Sequence, residues 1–396
     1  MKYILLLVIF FLDFGYLEAQ QTITNRLVHD GLDRDYHIYI PESYDEIINV
    51  PVLLVFHGYG GNARNLMRWG DMKSVADTAG FILIVPQGYN DNRGSPHWNV
   101  GSWTRGSTVD DIGFISALID KISESYKVDL DRVYSYGNSN GGYFSFELAC
   151  QLGDKIAAIG SIGGTMSTES YDSCEPSHDT SVITVHGTSD PIVYYTGGRP
   201  YNSKSQVEAL KYWVDYNKTN TSPEIIELPD FDKNDGSQVE LYKYDGGTNG
   251  TSVHHFKVIN GGHSWPGRYG NMDIRATSEI WKFVSKYDIN GLILNQSTNT
   301  EDEINSDVGY GIYLEQNYPN PFNPSTYIEF YLPQMTQVTL TLYNQIGQRI
   351  IDIIDGEFLI GNQSVKLNLN NYASGLYFYT LITADNSITK KMALIK

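Results

Sequence analysis

A chain of 396 residues with 41% hydrophobic content can bury a full core and has room for two or three domains, which excludes a disordered or fibrous protein. The net charge of -18, with no cluster of Lys and Arg against it, repels phosphate backbones and anionic headgroups and so excludes nucleic acid and membrane surfaces as partners.

In chain order, Lys2 precedes an apolar run over residues 4–11, and Leu17-Glu18-Ala19-Gln20 follows, so residues 1–19 read as a signal peptide. Asp13 breaks the run well short of the roughly 20 apolar residues that span a bilayer, and no later stretch qualifies as a membrane span. Residues 21–40 carry the alternation Tyr36, Ile38, Ile40 against Asp35, His37, Tyr39, which predicts an antiparallel pair at one sheet edge. From about residue 51 to 286, short apolar runs alternate with amphipathic stretches, as in a sheet interleaved with helices. Strands are predicted over 52–56, 81–85, 132–136, 156–162, 182–185 and 253–259. Ile112, Ile115, Ile119, Ile122 and Tyr126 recur at three- and four-residue steps and predict a helix, with Thr108 and Asp111 as its cap. A second helix is predicted over 143–152.

Export places Cys150 and Cys174 in an oxidising compartment, where a disulfide between them is expected, two buried free thiols being the alternative. Residues 20–290 therefore form one α/β domain. Residues 291–310, polar and acidic over most of their length, read as a linker. Residues 311–396 lose the helical period. Val338, Leu340 and Leu342 alternate with Thr339, Thr341 and Tyr343, and turns at 344–347, Asp355-Gly356 and Ser374-Gly375 predict a small all-β, immunoglobulin-like sandwich.

Four motifs stand at predicted strand ends. Gly137-Asn138-Ser139-Asn140-Gly141 joins a strand to a helix, and a serine becomes a nucleophile when a tight turn of this kind projects it towards a base. His57-Gly58-Tyr59-Gly60-Gly61 exposes backbone N–H groups. An oxyanion formed in acyl transfer could be met by the N–H of Asn140 and one near Gly58 or Tyr59. His186-Gly187-Thr188-Ser189-Asp190 supplies Asp190 as the acid, and Gly261-Gly262-His263 supplies His263 as the base on a loop. The chain order Ser139, Asp190, His263 is that of the α/β-hydrolase fold. Among the aromatic residues, Trp98 and Trp103 flank a glycine-bearing loop and Trp265 lies two residues from His263, so Trp98 and Trp265 are candidate substrate contacts. The acidic turn from Asp230 to Gly236 departs from a calcium loop, because its glycine falls one place late and no glutamate closes it. His254 and His255 are adjacent on a strand and must point to opposite faces. No metal or cofactor is expected.

At these motifs, together with Val109-Asp110-Asp111-Ile112-Gly113-Phe114 and Ser264-Trp265-Pro266, the chain resembles the esterases grouped with polyhydroxybutyrate depolymerases and the feruloyl and acetylxylan esterases of carbohydrate esterase family one. The resemblance implies a serine ester hydrolase acting on an ester-bearing polysaccharide, with a polyester as the alternative substrate. A non-catalytic surface polysaccharide-binding protein is the reading from another class, disfavoured because every triad position is filled. The tail, through Leu314-Glu315-Gln316-Asn317-Tyr318-Pro319-Asn320-Pro321-Phe322-Asn323-Pro324 and Ser374-Gly375-Leu376-Tyr377-Phe378, resembles the C-terminal sorting domain of type IX secretion substrates. That resemblance implies the type IX secretion machinery as a partner and an extracellular or cell-surface location.

Overall fold

The computed structural model describes residues 21–293 except 42, 70–71, 102–103 and 105–106, and residues 312–395 except 315–316, 318–319, 333–334, 359–360 and 385. The expected signal peptide, Trp103 and nearly all of the expected linker lie outside the described residues. The chain divides into two compact units. One takes the described residues to Glu227, with Glu240–Trp265 and Arg275–Ile293; the other takes Leu228–Val239, Pro266–Ile274 and the described residues from 312 onward.

The first unit's strands and helices follow in order: β1 (Gln21–His29), β2 (Leu32–Ile40), β3 (Val50–Phe56), α1 (Ala63–Trp69), α2 (Met72–Ala79), β4 (Ile82–Pro86), β5 (Tyr89–Asn90), β6 (Pro96–His97), α3 (Asp111–Ser125), β7 (Val128–Asn138), α4 (Asn140–Gln151), β8 (Ala158–Ile162), α5 (Thr168–Ser173), β9 (Ser181–Gly187), α6 (Gln206–Asn217), β10 (Glu224–Glu227), β11 (Gln238–Tyr244), β12 (Val253–Ile259), α7 (Ala276–Val284) and the short pair β13 (Tyr287–Asp288) and β14 (Gly291–Leu292). Ten strands form one sheet in the order β1-β2-β4-β3-β7-β8-β9-β12-β11-β10. The β1–β2 hairpin is antiparallel and lies at one edge, as its alternation predicts. From β4 to β12 every neighbouring pair is parallel.

Parallel strands need covering on both faces, which is why they read as unbroken apolar runs. Val52, Leu54, Ile84, Val133, Ile159 and Val182 share one core with Phe114, Ile115 and Leu118 of α3 and with Phe144, Phe146 and Leu148 of α4. On the opposite face Trp281 of α7 stacks on Phe81 with ring centroids 4.0 Å apart and meets Tyr134 edge-on. The predicted second helix is α4, in which every residue from Asn140 to Cys150 is buried. Its last turn is tied by the disulfide between Cys150 and Cys174. Closing a loop of that length contributes roughly 3 kcal/mol in the chain-entropy account. The α3 cap also differs from the expectation. Asp110, one residue before the predicted Asp111, accepts the Gly113 N–H at 2.8 Å, because Asp111 turns inward to Arg34.

The C-terminal unit is all β. A three-stranded sheet, β15 (Tyr313–Leu314), β16 (Ser325–Leu332) and β19 (Gly361–Asn368), accompanies a four-stranded one in the order β18 (Arg349–Phe358), β17 (Thr336–Asn344), β20 (Gly375–Ile382), β21 (Ser387–Leu394). Ile328 and Phe330 of the first sheet share a core with Val338, Leu340, Leu342 and Tyr379 of the second, as the alternation predicts. The predicted turn at Asp355-Gly356 is instead the interior of β18. Asp355 stands opposite Thr339 and its carboxylate accepts from Thr339 and Gln337, so the pair stays in the ladder. Among the described residues no helix is long and apolar enough to cross a membrane.

Candidate active site

Because β3, β7, β8, β9 and β12 run parallel and adjacent, their carboxyl ends bring His57, Ser139, Gly163, Asp190 and His263 to one edge of the sheet. Ser139 is the single residue between β7 and α4, with φ 54° and ψ -119°. Such a conformation costs on the order of 1–3 kcal/mol for a residue with a Cβ and persists only when its surroundings enforce it. Here they do. The Ser139 N–H donates to Ile162 O at 2.8 Å and its carbonyl accepts the Tyr143 N–H at 3.1 Å. The flanking glycines are steric necessities: a Cβ on Gly137 would stand 2.3 Å from the Gly141 carbonyl carbon, and one on Gly141 2.3 Å from Phe56 O.

Asp190 and His263 are joined directly, with Nδ1 2.7 Å from Oδ2. The other carboxylate oxygen accepts the N–H groups of Ile192 at 2.8 Å and Val193 at 2.9 Å. Burial opposes the charge, but hydrogen bonds from His186, His263 and the Ile192 N–H hold the Asp190 carboxyl well below the usual carboxylate range. An ionised Oδ2 fixes the proton of His263 on Nδ1 and leaves Nε2 as the basic nitrogen. Among the described residues no hydrogen bond links Ser139 to His263.

Between the serine and the acid stands β8, and the residue that follows it is Gly163, with φ 57°. A Cβ there would lie 3.3 Å from both Cε1 and Nδ1 of His263 and 3.7 Å from Asp190 Oδ2, while one on Gly164 would lie 2.8 Å from Ser139 O. This glycine pair is the floor on which the imidazole and the serine turn rest. Gly163→Ala is expected to lower kcat about 10- to 100-fold by displacing the imidazole a few tenths of an ångström. The left-handed backbone adds a stability loss of about 1–2 kcal/mol. Turnover of an aryl ester alongside a thermal melt checks both.

The loop from His57 to Gly61 is braced from several sides. His57 donates from Nδ1 to Gly58 O at 2.7 Å and accepts on Nε2 from the Gly88 N–H at 2.9 Å. Burial pushes its pKa down to about 4, against the opposing effect of the Gly58 bond, so the ring stays neutral in this tautomer at working pH. Gly58 O also accepts the Gly61 N–H at 2.9 Å. In a trans peptide the carbonyl and the following N–H point in opposite directions, so these two bonds set where the Tyr59 N–H points. The Gly60 N–H donates to Pro96 O at 2.7 Å, and the Tyr59 hydroxyl is bonded to Asp91. Asn140 begins α4, where an N–H has no acceptor within the helix.

The two predicted substrate contacts are corrected. Trp98 is 0% exposed, stacked on Phe144 with its indole N–H donating to His57 O at 3.1 Å. Trp265 is 6% exposed and donates to Thr277 at 3.2 Å. Both indoles are core, and the Trp98 indole braces the His57 loop through its bond to His57 O. The side chain of Asn140 clamps Trp98 from both ends, accepting its N–H at 2.7 Å and donating to its carbonyl at 2.9 Å. Asp111 continues the brace, accepting the Asn99 N–H at 2.7 Å and Arg34 at 2.5 Å, with both members of the pair buried. Sequence reading missed these roles of Gly163, Asn140 and Arg34. In the acidic turn near Asp230, the oxygens of Asp232 and Asp235 serve backbone N–H groups. As expected of strand neighbours, His254 bonds Asp245 at 2.8 Å while His255 is buried against Thr184.

Residues 34–204 match the family described as Esterase PHB depolymerase, and residues 316–396 match the Secretion system C-terminal sorting domain. A bifunctional acetylxylan esterase/xylanase of Neocallimastix patriciarum is 26% identical over 272 residues, covering 68% of this chain and 36% of that protein. A probable feruloyl esterase C of Aspergillus niger is 27% identical over 57% of this chain and 80% of its own length. The chain thus spans about a third of the first relative and four fifths of the second. Among solved structures, an acetyl xylan esterase from Aspergillus awamori superposes with a TM-score of 0.50 at 15% identity, over 67% of this chain and 99% of that one, a likeness of fold. The chain joins an α/β-hydrolase-like domain, matched over residues 34–204 by the Esterase PHB depolymerase family, to a secretion-system C-terminal sorting domain, which makes it a secreted or cell-surface protein.

Proposed function

We propose that this protein is a serine carboxylic ester hydrolase that removes feruloyl or acetyl groups from plant cell-wall polysaccharide through an acyl-enzyme. The observation that carries the reading is the 2.7 Å bond between Asp190 and His263, resting on Gly163 beside the turn that projects Ser139. In this reading Ser139 Oγ attacks the ester carbonyl carbon while its proton passes to His263 Nε2. The oxyanion is met by the N–H groups of Tyr59 and Asn140. Collapse of the tetrahedral adduct expels the alcohol, which takes the proton back from His263, and water repeats the sequence on the acyl-enzyme. The catalytic unit corresponds to residues 20–290 and a linker to 291–310. Residues 311–396 form the sorting domain, whose two sheets of three and four strands favour an immunoglobulin-like grouping.

The polysaccharide substrate is supported by the activities for which the relatives are named; the name of the matched family favours a polyester instead. Methyl ferulate, acetylated xylan and short polyhydroxybutyrate assayed side by side separate the two. Turnover of the ferulate or xylan ester in excess of the polyester is expected; the reverse order rejects the polysaccharide reading.

A further inference from the structure

Asp190 is approached from a side that the relay to His263 leaves unused. His186, the penultimate residue of β9, has no exposed side-chain surface, as has Asp190. Its Nε2 lies 2.8 Å from Val193 O and 3.4 Å from Asp190 Oδ2, the same oxygen that accepts from His263. Val193 in turn donates its N–H to Asp190 Oδ1 at 2.9 Å, so His186 grips the carboxylate both directly and through the residue that holds its other oxygen. On the far side of the ring, Nδ1 lies 3.2 Å from Oε1 of Gln206, the buried first residue of α6. That seat is firm. Ser205 and Glu208 close a reciprocal capping box around it, and the Gln206 N–H donates to Tyr195 O at 2.9 Å. Tyr195 also packs edge-on to the His186 ring, 5.7 Å between centroids.

Val193 O can only accept, so Nε2 carries a hydrogen and donates to it, while Gln206 Oε1, also an acceptor, faces Nδ1. The Nε2 hydrogen faces Val193 O and Asp190 Oδ2. A buried imidazole that only filled space would strand two polar nitrogens, and a leucine would do that work without the desolvation cost.

We propose that His186, seated by Gln206, is a positioning residue that locks the Asp190 carboxylate in the orientation from which Oδ2 holds His263. The proposal rests on the triad reading given above. Its role is exercised on Asp190, not on substrate, so its loss is expected in kcat and not in KM.

The test measures aryl-ester kinetics and thermal melts for the full chain and four variants. His186→Leu is expected to lower kcat about tenfold, the rate equivalent of one lost hydrogen bond, with KM within about twofold. His186→Gln, whose amide N–H reaches the place of Nε2, is expected to recover most of that loss. Gln206→Met is expected to lower kcat by about threefold at unchanged KM. Wild-type kcat in a folded His186→Leu protein, or a loss that includes KM and is not relieved by Gln, overturns the positioning role while leaving the triad standing. Should His186→Leu fail to fold, Gln206→Met decides: a lower kcat at constant KM supports the proposal and an unchanged kcat overturns it. Ser139→Ala is the separate control. Activity surviving in that variant removes the triad reading and this proposal with it.

Discussion

Ser139→Ala is expected to lower turnover of a simple aryl ester by about 10⁴ to 10⁶ while leaving the melting transition where it is. The size follows from what the proposed mechanism loses: without Oγ no acyl-enzyme would form, and the residual rate would come from oxyanion contacts and substrate positioning alone. The unchanged stability follows from the local structure. The bonds that hold the turn are the backbone ones to Ile162 and Tyr143, which alanine keeps, and Oγ makes no hydrogen bond among the described residues. Alanine also carries a Cβ, so the φ of 54° is neither relieved nor worsened. Retained turnover in a folded Ser139→Ala protein rejects the nucleophile, whatever the substrate panel shows.

The four strand-end motifs were legible because this chemistry leaves local marks. A serine turn needs small flanking residues, a base needs a free loop, and both follow apolar strands whose period is short enough to see. What joins the motifs was not legible. Gly163 and Gly164 carry no functional group, so nothing in the sequence separates a floor for an imidazole from an ordinary bend until β8 is placed between β7 and β9. Arg34 and Asp111 are 77 residues apart and their pairing depends on the approach of β2 to α3. Trp98 and Trp265 were misassigned for a related reason: an indole beside a catalytic motif has the same sequence signature whether it faces a groove or the core. In the tail, Asp355-Gly356 has turn chemistry, but its cross-strand partner Thr339 keeps it extended, a tertiary preference overriding a local one.

Asp190→Asn is expected to lower kcat by about 10⁴. Asparagine has nearly the shape of aspartate, so the effect comes from hydrogen-bond polarity. The carboxylate uses one oxygen to accept two backbone N–H groups, from Ile192 and Val193, and the other to accept from His263, with His186 Nε2 3.4 Å from that same oxygen. An amide has one acceptor and one donor end, and must choose. If its carbonyl faces His263, its NH₂ confronts two N–H donors in a buried site and both are left unsatisfied, at roughly 1–3 kcal/mol each. If its NH₂ faces His263, Nδ1 must become the acceptor, the imidazole proton moves to Nε2, and the nitrogen that should take the Ser139 proton already carries one. The second arrangement keeps the two short Ile192 and Val193 bonds and gives up only the longer 3.4 Å contact with His186, so the structure favours the orientation that gives the wrong tautomer. The expected signature is a folded protein with little loss in its melt, KM close to wild type and a collapsed kcat. Rate recovery at high pH is also expected, as hydroxide substitutes for the missing base. A folded Asp190→Asn protein with kcat near wild type would mean that His263 takes its orientation from another group and that the acid has been assigned to the wrong carboxylate.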